Sequence, residues 1–538
     1  MIRKAVGQKC LTCLIGLGLR KILLGSFSVI NDDWLPYASG CLISYCKSID
    51  NIRDRYTFLD PLYKQKPVEE YHNKLVQADI LGLTCYVWNQ SYNDVVANYF
   101  KTVNPQGIVV YGGPQVPEDA YLKKIYDENS PADYSIAGLG EIAFSEWLQA
   151  LPLSGTKLTA MPTPYLDGTF DALLATDQKF KVSFETNRGC PYSCAFCDWG
   201  GQARSKVTFF DTELVKDTIE YIYQHKNITE LEILDANFGI VENDIHYIDH
   251  MVDCQNRYDN KLKVSYSGLA KNGSKHLPKI LSKVFDHFPI DQRNLKISFQ
   301  THTAEVLAIV DRSNIDNSKL IPLIEEFKAK NIPTTSEMII GLPGETADSW
   351  LNTLHYNYHV LGIDFIRTYI LHVVANTPLY EKAYRDKWQI KTKHVGYQNN
   401  VVEIVNNCFS YNPEEILRMF DYWWFYSTFV NTNLLKVHIK DLYSETKEFI
   451  NNIDTMPFLK SCLEQYRDFV RVIFKDELVT ELDNRMQMKF LGASLKGKEV
   501  EMIIQNSSVA AKELSTVYKN LNTNWKCDSP YDILSIIY

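Results

Sequence analysis

The sequence predicts an α/β protein in three parts: an N-terminal doubly wound sheet, a central partial (β/α)6 barrel and a mainly helical C-terminal domain. Short apolar runs alternate with helical patterns over residues 21–150, and six further strands alternate with helices over 181–380. From there to residue 538 the hydrophobic pattern is mostly helical, so 381–538 forms the third part. We expect residues 1–20 to be an extension and 151–180 a linker.

Composition excludes several classes of protein. Of 538 residues, 45% are hydrophobic and 22% charged, as in a soluble globular protein with several cores. The net charge of −9 argues against nucleic-acid binding through a basic surface. Twelve cysteines are too few for a disulfide scaffold in a chain of this length, which favours a reducing, cytoplasmic location.

The first twenty residues carry an apolar run, 11–19, after the charges of Arg3 and Lys4. A signal peptide is the alternative interpretation. Arg20 and Lys21 interrupt the run, no small-residue cleavage site follows, and the run is too short to span a bilayer. We therefore expect an extension, and no membrane association.

The N-terminal sheet is predicted from four apolar runs of strand length. They lie at 21–30, 78–85, 107–111 and 134–137, and helical stretches open near Leu35 and follow the second strand at 93–103. Ligands of such sheets bind beyond the carboxyl ends of the strands. Polar and glycine-rich segments stand at those ends: Thr84, Trp88, Asn89, Gly112, Gly113, Pro114, Gly138, Gly140 and Glu141. Ordinary strand-to-helix turns would explain the glycines equally well.

The central barrel is predicted from six strands, at 181–185, 231–235, 262–267, 295–299, 334–340 and 364–371. Asp211 and Ser318 are expected to cap two of the intervening helices. Active sites of such barrels lie at the carboxyl ends of the strands. The loop after the first strand is therefore where chemistry is expected.

That loop contains Cys190, Cys194 and Cys197, separated by three and then two residues. A zinc site would want a fourth ligand, and no His or Cys follows within twenty residues. Three thiolates suit an iron–sulfur cluster with one iron left open to bind a substrate or cofactor. The alternative is three structural thiols, which gain nothing from this spacing.

With Phe196 before the last cysteine, this Cys-x-x-x-Cys-x-x-Cys segment resembles the signature of the radical S-adenosylmethionine (SAM) superfamily. The resemblance implies a 4Fe–4S cluster held by Cys190, Cys194 and Cys197, whose open iron chelates SAM. Reductive cleavage of SAM then yields a 5′-deoxyadenosyl radical. Electrons would come from a reducing partner such as flavodoxin or ferredoxin.

The segments Trp-Asn, Gly-Gly-Pro and Gly-x-Gly-Glu, placed ahead of this loop, resemble the Rossmann-like cobalamin-binding domain of cobalamin-dependent radical SAM enzymes. The resemblance implies that cobalamin is bound by the nine residues named above at the strand ends: Thr84, Trp88, Asn89, Gly112, Gly113, Pro114, Gly138, Gly140 and Glu141. The Asp-x-His-x-x-Gly motif of other cobalamin proteins is absent, and the only histidine of this region, His72, is expected at the surface. The ligand on the lower face of cobalt stays unassigned.

The same resemblance implies SAM contacts at the ends of later strands. Gly341 and Gly344 belong to a Gly-Leu-Pro-Gly-Glu-Thr segment that the family places near the adenine. Besides Phe196, the expected SAM-binding residues are Asp235, Asn237, Gln300, Arg312, Glu337, Gly341 and Gly344. For each of them, a capping or structural role is the alternative.

The C-terminal domain offers one clear signal, a helix start at Asn412-Pro413 followed by an aromatic-rich stretch to Tyr426. The aromatic residues form either a packed core or a cover for the barrel mouth. We match no motif to the remainder.

The predicted function is that of a cobalamin-dependent radical SAM enzyme, with methylation of an unactivated carbon of a small metabolite or natural-product intermediate as the leading expectation. Such a carbon is not nucleophilic, so methyl transfer to it requires radical chemistry supplied by the cofactors. A non-methylating cyclase or rearrangement enzyme is the alternative, and a non-catalytic cobalamin or iron–sulfur sensor is a third. The sequence does not identify the substrate.

Overall fold

The computed structural model describes residues 19–28, 33–150, 161–200, 206–266, 276–289, 295–397, 400–431, 435, 439–474, 502–503 and 505–518. The predicted extension therefore lies almost wholly outside the described residues. Two compact units are formed, and each is described by itself: Met1–Asn187, Thr208–Leu234 and His250–Leu262 make the first, and Arg188–Val207, Asp235–Asp249 and Lys263–Tyr538 the second. Within the described ranges, no helix is both long and apolar enough to cross a bilayer.

The first unit is built on a five-stranded sheet of the order β2-β1-β3-β4-β5, in which all neighbours are parallel. This is one of the two common orders of doubly wound sheets. The strands are β1 (Arg20–Gly25), β2 (Tyr56–Phe58), β3 (Ile80–Thr84), β4 (Ile108–Gly112) and β5 (Tyr134–Ile136). The sequence did not predict β2, which has only three residues.

Helices cover both faces of this sheet. They are α1 (Tyr37–Lys47), α2 (Asp50–Arg53), α3 (His72–Leu75), α4 (Gln90–Val103), α5 (Ala120–Asn129) and α6 (Gly140–Leu148). Leu23 and Leu81 pack with Phe100 of α4 on one face, whereas Ile22 packs with Phe144 of α6 on the other. Burial on both faces explains why these strands are continuous apolar runs.

Two of the strands predicted for the barrel also belong to the first unit. A short helix, α7 (Asp171–Leu174), precedes β6 (Phe180–Phe184), which pairs in parallel with β9 (Ile228–Ile233). Between them lie the two-residue strands β7 (Asn187–Arg188) and β8 (Thr208–Phe209) and helix α8 (Thr212–Gln224). Asp211 caps α8, as predicted, by accepting hydrogen bonds from the amides of Glu213 and Leu214. Helix α9 (Asn243–Tyr258) follows, and its residues are divided between the two units.

The second unit contains the remaining strands of the predicted barrel. After β10 (Lys263–Tyr266) and α10 (Leu277–His287), a parallel sheet has the order β11-β12-β13, formed by Leu295–Gln300, Thr334–Ile340 and Phe365–Ile370. The helices α11 (Ala304–Ile309), α12 (Asn317–Ala329) and α13 (Ala347–His355) alternate with these strands. The prediction that Ser318 caps α12 is wrong: Asp316 is the cap, and its carboxylate accepts from the Ser318 amide.

The C-terminal part begins with α14 (Lys382–Lys387) and an antiparallel hairpin of β14 (Lys391–Tyr397) and β15 (Asn400–Asn407). Helices α15 (Pro413–Phe425), α16 (Leu442–Asn451), α17 (Pro457–Phe474) and α18 (Ser507–Leu514) follow. The aromatic residues of α15 form a core rather than a cover, because Trp424 is buried against Phe449 of α16 and Tyr466 of α17.

Candidate active site

The cysteine loop begins directly after β7 and is held by backbone hydrogen bonds. The Cys197 amide donates to the Cys194 carbonyl at 3.0 Å, and the Ala195 amide donates to the Val310 carbonyl at 2.9 Å. The Ala195 carbonyl in turn accepts from the Leu379 amide at 3.0 Å. The two hydrogen bonds of Ala195 attach the loop to the residues that follow α11 and to those that follow β13.

None of the three cysteines is joined in a disulfide bond, as a metal-binding role requires. Cys190 and Cys194 are buried, and Cys197 is half-buried, as is Phe196, which precedes it in the chain. Burial raises the pKa of Tyr192, and the neighbouring charges of Cys190 and Cys194 raise it further. The nearby Arg312 guanidinium acts in the opposite direction and lowers the pKa of Tyr192.

Asn237 lies against this loop. Its side-chain amide nitrogen, Nδ2, donates to Cys190 Sγ at 3.2 Å, and its side-chain oxygen, Oδ1, is buried without a hydrogen-bond partner among the described residues. Asp235, two residues earlier, is fully buried. The segment reaches the loop because β9 ends at Ile233, just before these residues.

Arg312 approaches a second cysteine. Its terminal nitrogen Nη1 lies 3.8 Å from Cys194 Sγ, while Nε donates to the Phe299 carbonyl at 3.2 Å and to Asn314 Oδ1 at 3.1 Å. The other terminal nitrogen donates to the Ser298 carbonyl. The side chain is 7% exposed, so an almost buried positive charge stands next to the cysteine loop.

The strands of the second sheet present a polar face. Ser298, Glu337 and Arg367 occupy one register line across β11, β12 and β13. Both oxygens of Glu337 are bound: Oε2 accepts from Ser298 Oγ at 2.7 Å and Oε1 from the Tyr369 hydroxyl at 3.2 Å. Burial, followed by the Glu337 charge, raises the pKa of Tyr369.

Gln300 ends β11 with an unusual backbone, at φ +70°. Positive φ is rare for glutamine and is retained mainly where the surroundings impose it. Its side-chain oxygen is buried, and the described part of the chain provides it with no hydrogen-bond partner. Gln300 and Asn237 therefore each offer a buried acceptor to a ligand.

The loop after β12 carries the predicted glycines. Gly341 and Gly344 have φ values of +91° and +97°, a region that favours glycine. Tyr411 donates to the Gly341 carbonyl and Ser410 accepts from the Gly344 amide at 2.9 Å. The fully buried Glu345 accepts from the hydroxyl groups of three neighbours and so holds the loop in place: Thr301, Thr303 and Ser349.

These residues fit an iron–sulfur cluster with bound SAM. A cluster bound by thiolates requires cysteines outside disulfides, and Arg312 places a positive charge beside them. A ligand with an ammonium group requires acceptors, and the side-chain oxygens of Asn237 and Gln300 have no partner among the described residues. The structure brings Asn237 and Arg312 to the cysteines and sets Gln300 at the end of β11. A role of each residue in SAM binding stays a prediction.

The second group of predicted residues lies at the carboxyl edge of the five-stranded sheet. Thr84 ends β3, and its Oγ1 is 2.6 Å from Ser26 Oγ. Asn89 is fully buried: its Nδ2 donates to the carbonyls of Phe27 and Thr84, and its Oδ1 accepts from the Tyr86 amide. Thr84 and Asn89 thus tie the ends of neighbouring strands together.

Further along this edge, the ring of Trp88 stacks on that of Tyr86, with centroids 4.5 Å apart. Gly112 pairs with Thr84 at the end of β4. Gly113 follows at φ +101°, so close to the preceding strand that an added Cβ would lie 2.9 Å from the Cys85 carbonyl oxygen. Pro114 is half-buried beside it.

The end of β5 leaves space. At Gly138, φ is +91°, and no described heavy atom lies within 4 Å of a Cβ built there. Gly140 begins α6, whose preceding residue, Leu139, provides no side-chain cap, and Glu141 is buried in the first turn. An open glycine beside an uncapped helix start fits a large ligand that lies against the backbone. This edge therefore fits cobalamin, whereas its individual contacts stay predictions.

The sequence missed several residues of these two regions. Asp244 is fully buried and accepts from the Gly239 amide at 2.7 Å, and burial raises its pKa to about 6. Asn93 donates to Cys85 Sγ at 3.4 Å, and Tyr369 donates to Glu337. No sequence motif marks any of these residues, because their partners are set by the tertiary structure.

Similarity to known proteins agrees with these two sites. Residues 184–356 match the family model described as the radical SAM superfamily. The fold and the cysteine loop thus define a protein of this superfamily.

Two curated relatives narrow the class. The chain is 31% identical over 389 residues to the cobalamin-dependent radical SAM methyltransferase TokK of Streptomyces tokunonensis, covering 67% of this chain and 56% of the relative. It is 30% identical over 379 residues to the 2-(S-pantetheinyl)-carbapenam-3-carboxylate methyltransferase of Streptantibioticus cattleyicolor, covering 64% and 54%. The chain belongs to the cobalamin-dependent radical SAM enzymes, as its motifs predicted. It spans about half the length of these curated relatives.

Solved structures share the fold. The cobalamin-dependent SAM radical enzyme OxsB, with aqua-cobalamin and SAM bound, has a TM-score of 0.55 at 14% identity, covering 96% of this chain and 83% of OxsB. The radical SAM methyltransferase TsrM of Kitasatospora setae, with cobalamin and a 4Fe–4S cluster bound, has a TM-score of 0.51 at 14% identity, covering 67% and 74%. At this identity, the similarity supports the α/β fold alone.

Proposed function

We propose that this protein is a cobalamin-dependent methyltransferase that uses SAM and a 4Fe–4S cluster to methylate an unactivated carbon of a small metabolite or natural-product intermediate. The observation that supports this most is the cysteine loop, with Asn237 and Arg312 directed at its sulfurs. The open edge at Gly138 supports a second large ligand. Two curated relatives of at least 30% identity are named as methyltransferases.

The cofactors are those of the family: a 4Fe–4S cluster, SAM and cobalamin. When bound, they supply a carbon-centred radical and a transferable methyl group, which together make an unreactive carbon accessible to methylation. The protein itself contributes binding, orientation and the exclusion of water.

Within the second unit, Cys190, Cys194 and Cys197 would hold the cluster. The buried oxygens of Asn237 and Gln300 are acceptors for the amino group or hydroxyl groups of SAM. Desolvation strengthens these bonds, because the acceptors are not shared with water.

The first unit would hold cobalamin against the carboxyl edge of its sheet. Gly113 and Gly138 allow the backbone to approach the ligand, and Thr84 and Asn89 keep the strand ends in register. Asn89 acts by tying backbone groups together, since its amide is already bound to them.

The experiment that tests this function needs no substrate. The protein is purified without oxygen, its cluster is rebuilt, and SAM, cobalamin and a chemical reductant are added. Formation of S-adenosylhomocysteine together with a methylated cobalamin spectrum supports a methyltransferase. 5′-Deoxyadenosine alone, with cobalamin bound but unmethylated, supports the cyclase or rearrangement alternative instead. Failure to bind cobalamin refutes the assignment of the first sheet.

A matched pair of variants tests the site. Cys194→Ala should abolish SAM cleavage and leave cobalamin binding unchanged. Cys46→Ala removes a buried thiol of α1 that is remote in sequence from the loop and should retain cleavage. Cleavage retained in Cys194→Ala would refute the cluster assignment.

A further inference from the structure

Two side chains of the second unit direct hydrogen-bond donors at the sulfurs of the cysteine loop. Asn237 Nδ2 donates to Cys190 Sγ at 3.2 Å, and Arg312 Nη1 lies 3.8 Å from Cys194 Sγ. Both side chains are buried, at 4% and 7% exposure, so neither contact competes freely with water. From the sequence, the two residues were expected as SAM contacts, with a capping or structural role as the alternative.

The remaining polar atoms of each side chain are compatible with hydrogen-bond donation to sulfur. The other atoms of the Arg312 guanidinium donate to the backbone carbonyls of Ser298 and Phe299, which hold the group in place. The Asn237 oxygen is unpartnered within the described ranges, so its amide can donate to sulfur and still accept from a ligand. A donor to sulfur and an acceptor for a ligand are thus combined in one side chain.

We propose that Asn237 and Arg312 raise the reduction potential of the cluster by stabilising the thiolates of Cys190 and Cys194. This inference rests on the proposed function, because it requires the cluster to be present. Asn237 and Arg312 are positioning residues for electron transfer, in addition to any contact with SAM.

The physical reason is charge. One-electron reduction adds a negative charge to a cluster already bound by three thiolates. An N–H donor or a guanidinium at sulfur stabilises the more negative, reduced state more than the oxidised state. Burial strengthens the effect, since the local dielectric constant is low. The expected consequence is a cluster that is easier to reduce.

The test is a spectroelectrochemical titration of the rebuilt cluster, followed by its absorption and by electron paramagnetic resonance, without SAM or cobalamin. Asn237→Asp is nearly isosteric and replaces the donor by a negative charge. We expect it to lower the equilibrium constant for reduction at least tenfold, which is about 59 mV for a one-electron couple. Asn237→Leu removes the donor alone and should shift the potential in the same direction by less. Arg312→Gln should also lower it, and Arg312→Lys should partly restore it.

The matched control is Asn93→Ala. Asn93 donates to Cys85 Sγ at 3.4 Å in the first unit, where the cysteine belongs to the core of the sheet. Loss of the Asn93 side chain should leave the midpoint potential of the cluster unchanged. Iron and sulfide content is measured for every variant.

Wild-type potential in both Asn237 variants with intact clusters would overturn the proposal. Loss of the cluster from both, in protein that remains folded, would also overturn it, because Asn237 would then serve assembly instead. Absence of a 4Fe–4S cluster from the rebuilt wild-type protein is a different result: it refutes the proposed function itself.

Discussion

Replacing Gly113 and Gly138 separately by alanine should distinguish the stability of the five-stranded sheet from its ligand binding. Both glycines lie at its carboxyl edge with positive φ, +101° and +91°. Alanine at such an angle costs about 1–3 kcal/mol of backbone strain. That cost is common to the two variants.

The surroundings of the two positions differ. At Gly113, a Cβ would lie 2.9 Å and 3.0 Å from the carbonyl oxygen and amide nitrogen of Cys85, which are backbone atoms of the sheet edge. Their displacement adds about 1–3 kcal/mol, as in other overpacked interiors. Gly113→Ala should therefore destabilise the first unit by about 2–6 kcal/mol. At Gly138 there is open space, so Gly138→Ala should cost only about 1–3 kcal/mol.

Cobalamin binding should respond in a different way. The methyl group of Gly138→Ala enters the space that we assign to cobalamin, so affinity should fall at least tenfold although the sheet stays folded. Denaturant unfolding followed by circular dichroism gives the stability, and titration of the cobalamin absorption spectrum gives the affinity. Unchanged cobalamin affinity in folded Gly138→Ala protein would refute the placement of cobalamin at the end of β5. Equal stability of the two variants would refute the steric argument at Gly113.

Three further predictions concern buried ionisable side chains. Glu345→Ala leaves three hydroxyl groups without their acceptor and should destabilise the second unit by about 3 kcal/mol. Glu345→Gln keeps an acceptor oxygen and should destabilise it less. Denaturant unfolding measures both variants. The Asp421 side chain is 7% exposed, and it accepts two hydrogen bonds of 2.9 Å from Arg467. Asp421→Asn should therefore lower the free energy of unfolding by about 3 kcal/mol in the same assay. A decrease below about 0.5 kcal/mol, which is usual for surface substitutions, would contradict the pairing. Burial lowers the pKa of His302 and His372 to about 4. Between pH 4 and about 6.5, each of these two histidines is more protonated in the unfolded chain than in the folded chain. Its contribution to stability should therefore rise with pH by up to about 1.4 kcal/mol per unit and level off above pH 6.5. Unfolding at several pH values should show a reduced slope in His302→Gln.

Much of the fold was predictable because it depends on local patterns. The apolar runs that are buried on both faces of the first sheet were recognised as strands, and Thr334–Ile340 coincides with its predicted bounds. The helix caps Asp211 and Asn412 were also predicted correctly. Strand β2 was missed, since three residues carry too little periodicity. Ser318 was preferred to Asp316 because both residue types cap helices, and the sequence does not reveal which residue adopts the extended backbone of a cap.

The sites were predictable to different degrees. The spacing of the three cysteines was enough to indicate a cluster, because it lies in one short segment. The partners of Asn237 and Arg312 were not predictable, since their cysteines are 47 and 118 positions away in the chain. Glu345 appeared to be part of a ligand-binding loop, whereas its carboxylate binds hydroxyl groups of the protein itself.

The sequence by itself therefore determined the class of this protein: the cysteine spacing, the glycine-rich strand ends and the alternation of strands and helices are properties of short segments. Only the tertiary structure decided which atoms meet. Strand register places Ser298 beside Glu337, and loop closure brings Asn237 to Cys190. Such contacts depend on residues far apart in the chain, whose distances are set by the packing of whole elements rather than by local preference.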